Sequence, residues 1–187
     1  MKPVLLATLL SAVVSLPLFA APKTLEVNKA QSTVEIVVKA TVDSFTGRLA
    51  DYQPTLIIDS TSGKVTTASV AFRFADVKTG KEDRDKQMLT WAEEPKHPDG
   101  IFTLTEIQPD TVAGRHNVKG TLRFHGVEQL LEFPVSITTN QQLYSFDGEA
   151  ILDTRTFGLP VIRKFGLLKV DPLVKVRFHL QAAAATP

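Results

Sequence analysis

The chain contains no cysteine. Disulfides, thiolate metal sites, cysteine nucleophiles and a lipid-modified N-terminal cysteine are thereby excluded, and stability has to come from the core. The aromatic residues that girdle membrane barrels are scarce. One tryptophan and two tyrosines are too few for belts at two interfaces. An excess of charge is lacking as well: 21 basic residues stand against 20 acidic ones, so no run of phosphates can be neutralised and nucleic acid is not an expected partner. Catalytic signatures are missing too. There is no G-x-S-x-G elbow and no glycine-rich phosphate loop, and the four histidines, His97, His116, His125 and His179, are scattered with no two at a metal-ligand spacing. Glu93-Glu94 and Asp83-Asp85 read as helix-surface charge. Neither a catalytic residue nor a metal site is expected, and the chain is not read as an enzyme.

Long hydrophobic runs are confined to the start. Lys2 is followed by an uncharged run over residues 4–16, then by Pro17 and the small residues Ala20 and Ala21. This is the pattern of a signal peptide over residues 1–20, cleaved after Ala20 because a cut after Ala21 would place Pro22 beside the scissile bond. The run is shorter than the roughly 20 residues a spanning helix needs, which disfavours a retained anchor. Its removal takes one lysine and no acid, leaving 20 basic and 20 acidic residues. Residues 21–187 suffice for a single domain, expected in the periplasm.

What is abundant is alternation. In residues 118–137, Val118, Gly120, Leu122 and Phe124 alternate with Lys119, Thr121, Arg123 and His125, and a period of two sends the two sets to opposite faces of a strand. Beyond Gly126, Leu131, Phe133, Val135 and Ile137 alternate with Glu132, Pro134 and Ser136, which predicts a hairpin with one apolar face. Pro134 cannot donate to a ladder, so a bend is expected there.

The same pattern recurs along the chain. Val34, Ile36, Val38 and Ala40 form one face of an early strand, and Phe45, Gly47 and Arg48 read as a turn after it. A strand around residues 56–58 ends in turn chemistry at residues 60–63. Ala68, Val70, Phe72 and Phe74 share the next face, followed by Phe102 with Leu104, then by Phe146, Gly148, Ala150 and Leu152, and finally by Val174, Val176, Phe178 and Leu180. Residues 108–114 read as a loop, residues 153–171 as a long connection, and the tail over residues 182–187 as frayed. One helix interrupts the strands. Thr79-Gly80-Lys81-Glu82 fits a capping box, and residues 81–92 carry Met88, Leu89, Trp91 and Ala92 at helical spacing before Pro95 and Pro98 end the run.

About eight one-sided, mostly antiparallel strands favour an all-β, lipocalin-like closed barrel with one short helix, since closure removes exposed edges. A sandwich has the same alternation. The inward residues can either fill the barrel against each other, as in small barrels, or line a cavity for an apolar ligand.

Four segments carry a resemblance to a known family: Phe45-Thr46-Gly47-Arg48; Thr79-Gly80 followed by Arg84-Asp85 and Leu89; Val118-Lys119-Gly120-Thr121-Leu122 with Gly126-Val127; and Arg155-Thr156-Phe157-Gly158. In order and spacing, behind a signal peptide, they resemble the YceI-like family of exported lipocalin-like barrels that bind polyisoprenoid lipids. Three departures stand out. Gln31 precedes Ser32 and Ala40 follows Lys39 where the family often has histidine, and Glu128 and Gln129 replace a usual threonine and lysine. The resemblance implies a cavity, a long isoprenoid ligand such as a polyprenyl phosphate or a quinone, and, given the departures, a different head-group preference.

On these grounds the expected ligand-binding residues are Phe72, Phe74, Phe102, Leu104, Leu122, Phe124, Phe133, Val135 and Phe146 inside the barrel, with Arg84 and Arg155 to meet a head group and Phe157 as a movable contact. The bland alternatives are ion pairs of Arg84 with Glu82, Asp83 or Asp85 and of Arg155 with Asp153. Arg163, Lys164 and Lys169, with Phe165 and Gly166, read as a lid or as a solvated loop. No cofactor is expected beyond a non-covalent isoprenoid lipid. A second reading is a solid-cored barrel that docks a membrane redox or envelope protein through residues 153–171, and homodimerisation through an exposed strand is compatible with either.

Overall fold

The computed structural model describes residues 21–164 and 168–184. The expected leader at residues 1–20, the lid residues Phe165 and Gly166, and the last three residues of the tail lie outside the described residues.

Strands β1 (Pro22–Val27) and β2 (Thr33–Val38) are two halves of one edge-to-edge position, separated by a 3-10 turn at Lys29–Gln31. The strands β3 (Phe45–Leu49) and β4 (Gln53–Asp59) form a second such pair, and β5 (Val65–Arg73) with β6 (Val77–Lys78) a third. Helix α1 (Glu82–Trp91) follows, then the unbroken strands β7 (Asp99–Pro109), β8 (Arg115–Phe124), β9 (Val127–Asn140) and β10 (Leu143–Asp153). A 3-10 segment at Thr154–Phe157 and two short strands, β11 (Arg163–Lys164) and β12 (Leu168–Lys169), lead into the last strand, β13 (Leu173–Ala184). Each position pairs antiparallel with the next, and β13 closes the ring by pairing with β10 on one side and with β1 and β2 on the other. The result is a closed eight-position, up-and-down barrel.

Alternation explains the inside. Every inward face predicted from period two turns its apolar side chains to the interior, and among the described residues no polar or charged residue is fully buried. Three inward phenylalanines lie down against glycines of the next strand: Phe72 over Gly100, Phe102 over Gly120 and Phe178 over Gly148, where a Cβ would collide with each ring. Flattened against the wall, these rings leave the barrel axis free.

Several local expectations are corrected. Phe45, Gly47 and Arg48 belong to strand β3, not a turn, with Phe45 and Leu49 facing inward. β1 was not expected at all. Ala182, Ala183 and Ala184 are not frayed; they pair with β1, and Ala182, in register with Val27 on one side and Tyr144 on the other, is fully buried. β7 runs to Pro109 rather than ending before Gln108. The capping box does not form: Lys81 is the N-cap and its side chain does not cap the helix, while the Asp85 carboxylate reaches back to the Thr79 N–H (3.0 Å) and hydroxyl. Pro134 stays in register with Asn117 of β8. Its missing N–H falls where β9 parts from β10, whose pairing stops at Val135 and Gly148.

Candidate functional site: an apolar cavity with a charged mouth

The barrel is hollow, enclosing a cavity of about 990 Å³. That volume lies at the upper end of the range of small-molecule sites, about 300 to 1,000 Å³, so the filled-barrel alternative does not hold. At one end Leu25, Ile58 and Ala182 are buried outside the cavity lining and stop the barrel. Helix α1 lies across the other end. Met88 and Trp91 reach the cavity from the helix, and Pro160, Val161 and Ile162 face them from the connection after β10. The Trp91 indole N–H donates to the Pro160 carbonyl (2.8 Å), which fixes helix to connection.

All charged side chains among the described cavity residues sit at this mouth: Asp43, Arg84, Lys86, Arg163 and Asp171. Arg84 pairs with Asp43 (2.9 Å) and lies 4.2 Å over the Phe45 ring. A partly exposed pair of this kind contributes about 0–1 kcal/mol, so the guanidinium is positioned by contacts that are cheap to exchange for an anionic ligand. The expected acidic neighbours Glu82, Asp83 and Asp85 are not its partner. Segment 168–171 is held to β2's exit by the Ala40–Val170 bridge, by Asp171 N–H to the Lys39 carbonyl (2.8 Å) and by Lys169 N–H to Thr41 Oγ1 (3.1 Å).

Eleven of the twelve expected ligand-binding residues line this cavity: Phe72, Phe74, Arg84, Phe102, Leu104, Leu122, Phe124, Phe133, Val135, Phe146 and Phe157. Arg155 does not. It forms a bidentate pair with Asp153, Nε to Oδ1 at 2.9 Å and Nη2 to Oδ2 at 2.6 Å, outside the lining. The pair holds the Asp153 carboxyl below the usual carboxylate range, and Asp153 in turn accepts the Arg155 N–H (3.0 Å) to cap the 3-10 segment that carries Phe157. Gln129, one of the departures from the resemblance, donates to the Thr156 carbonyl (2.9 Å) and ties the same segment to β9. The segment thus covers the place where β9 and β10 separate. Sequence reasoning missed the helix-end lining by Val161, Ile162 and Val170, which lie in irregular backbone without alternation.

The histidines are not all scattered. His97 and His125 approach to 4.3 Å between ring centroids, because the turn after α1 lies against the β8–β9 hairpin.

A family model described as YceI-like domain matches residues 25–182. No curated protein sequence matches the chain. Among solved structures, Burkholderia cenocepacia BcnA is similar with a TM-score of 0.74 at 21% identity, covering 86% of this chain and 100% of its own. A polyisoprenoid binding domain from Saccharophagus degradans, described as implicated in plant cell wall breakdown, has a TM-score of 0.63 at 15% identity, covering 87% and 98%. A Campylobacter jejuni YceI protein has 0.63 at 16% identity, covering 78% and 88%. At these identities the three structures share the fold. No helix among the described residues is long and apolar enough to cross a membrane.

Proposed function

The chain belongs to the YceI-like domain family, and on that premise we propose that it is a periplasmic binding or carrier protein for a long isoprenoid lipid, a polyprenyl phosphate or an isoprenoid quinone. The observation that carries this reading is the hollow interior, about 990 Å³ and lined by hydrocarbon, with its charged side chains gathered at one end. Such a surface can solvate an apolar chain and offers nothing for bond making. Each buried CH₂ contributes roughly 0.8 kcal/mol, against an association cost of about 4 to 15 kcal/mol. A short chain gains too little. A tail of several isoprene units exceeds the cost, so the tail supplies affinity and the mouth selects the head. Arg84 is the group placed for a phosphate or a quinone carbonyl, since one hydrogen bond to a charged group contributes about 1.5 to 3 kcal/mol.

Trp91, the only tryptophan in the chain, lines the mouth and provides the readout. Titration with a polyprenyl phosphate or a long-tailed quinone changes its emission and saturates at one lipid per protein. Phe133→Asp, which sets a charge against the tail, removes that response in a variant whose circular dichroism stays native. Saturable binding that survives in a folded Phe133→Asp variant contradicts the assigned lining.

A further inference from the structure

A second cluster lies outside the cavity, where the turn after α1 meets the β8–β9 hairpin. Glu93, His97 and His125 each offer one candidate ligand atom, and those atoms lie within 4.8 Å of one another. Chemistry selects the atoms. The Nδ1 of His125 is 2.8 Å from the Phe157 carbonyl oxygen, and a carbonyl only accepts, so Nδ1 holds the hydrogen and Nε2 carries the lone pair. That Nε2 is buried and has no hydrogen-bond partner. A histidine whose far nitrogen donates to a backbone carbonyl is the arrangement by which metal-binding imidazoles are oriented and made basic.

The backbone gives an independent observation. Only three non-glycine residues among those described have positive φ, and two of them are in this cluster: Glu93 at 45° and His125 at 51°. Glu93 takes the left-handed position of a Schellman-type helix end, with its own N–H bonded to the Thr90 carbonyl (3.2 Å) and that of Glu94 to Leu89 (3.0 Å), where glycine is the usual residue. His125 is the first central residue of a two-residue turn with Gly126 at 73°, where asparagine or glycine is usual. Two ligand-type side chains at positions that favour glycine point to a function that needs them, since strain of this kind collects at functional sites. Gly126 completes the fit, because a Cβ there would press on the His97 ring at 3.3 Å.

We infer that Glu93, His97 and His125 form a binding site for a first-row divalent transition ion of the zinc type. Two imidazoles and one carboxylate are a donor set that suits such ions and leaves a coordination position open. Zinc takes these ligands at about 2.0–2.2 Å, so small side-chain rotations close the present spacing. Lys96, 2.9 Å from a Glu93 oxygen, is the competing cation that the ion displaces. The ion then joins two turns behind Phe124 and Phe157, which are 5.9 Å apart in the cavity wall, and the site does not depend on what the cavity holds.

The test uses the protein purified from an exporting host without an affinity tag, stripped with EDTA and titrated with Zn²⁺ by calorimetry and native mass spectrometry, with Co²⁺ as a spectroscopic reporter. One ion binds per chain. His125→Gly and Glu93→Gly suit their left-handed backbone, so both fold; the first weakens binding at least about a hundredfold and the second at least about tenfold. His97→Ala also weakens it, Lys96→Met tightens it, and His179→Ala leaves it unchanged. Failure to take up one equivalent of Zn²⁺, Co²⁺, Ni²⁺ or Cu²⁺, or binding that survives His125→Gly, overturns the site.

Discussion

The two ends of the barrel are built from the same strands and behave differently. At the closed end the strands are joined by short turns: Asp59 Oδ1 accepts from the Thr61 and Ser62 N–H groups at 3.1 and 2.7 Å, Gly63 and Gly114 take positive φ, and Leu25, Ile58 and Ala182 fill the interior. At the open end one helix replaces a turn, the chain after β10 is a long connection, β8 and β9 alone meet in a two-residue turn, and Met88, Trp91, Phe72 and Phe124 are only partly buried against the cavity. One alternating pattern therefore serves two purposes. Where the chain also supplies plugs, the pattern makes a core; where it supplies a helix and a tethered connection, it makes a container.

The sharpest way to break the comparison is to remove matter from each end. Ile58→Ala leaves a void in close packing and costs about 2–5 kcal/mol, read as a lowered midpoint in urea unfolding with an unchanged slope. Met88→Ala at the mouth removes contacts that already border empty space, so it costs less than half as much. Equal losses at both ends would contradict the division into core and container.

Adding matter sharpens the comparison in the other direction. A Cβ at Gly120 meets the Phe102 ring and lies 2.6 Å from the Thr103 carbonyl. Gly120→Ala costs about 1–3 kcal/mol through overpacking and tilts the ring inward, so lipid capacity falls along with stability. Stability loss with full capacity would show that the flattened ring does not govern the free space.

At the mouth the expected effect is on selectivity. Arg84→Gln leaves tail binding intact and weakens the preference for an anionic head by about tenfold or more, equivalent to one charged hydrogen bond of about 1.5–3 kcal/mol, measured by competition between a polyprenyl phosphate and its alcohol.

The smallest effect is acid loosening of the segment that carries Phe157. Asp153 has its carboxyl lowered by Arg155, so its contribution is complete above the ordinary carboxylate range and is lost as pH falls through the lowered value. Hydrogen exchange at residues 154–158 rises in acid below that range, and Asp153→Asn shows the raised exchange already at neutral pH. Exchange that is independent of both would remove Asp153 as the cap.

The inside of the barrel was legible because burial on one side of a pleated strand imposes a period of two, and eleven of the expected residues could be chosen from that period and the family resemblance alone. β3 has the same signature, Phe45, Gly47 and Leu49 against Thr46 and Arg48, but glycine and brevity made it resemble a turn. Arg155 was misplaced because sequence spacing to Asp153 does not reveal which face of a 3-10 segment a guanidinium leaves by. His97 and His125 lie far apart in sequence, and only the pairing order brings their turns together. Mouth residues 160–163 carry no period, since irregular backbone answers to tertiary contacts such as the Trp91 bond to Pro160.

The central claim is that the container is filled by an isoprenoid lipid in the cell. Protein purified gently from an exporting host, weighed under native and then denaturing conditions with solvent extraction of whatever is released, tests it most directly. The account predicts one isoprenoid per chain, present in the native mass and lost on denaturation. A native mass equal to the bare polypeptide, from protein that also takes up neither a polyprenyl phosphate nor a quinone on addition, would contradict it.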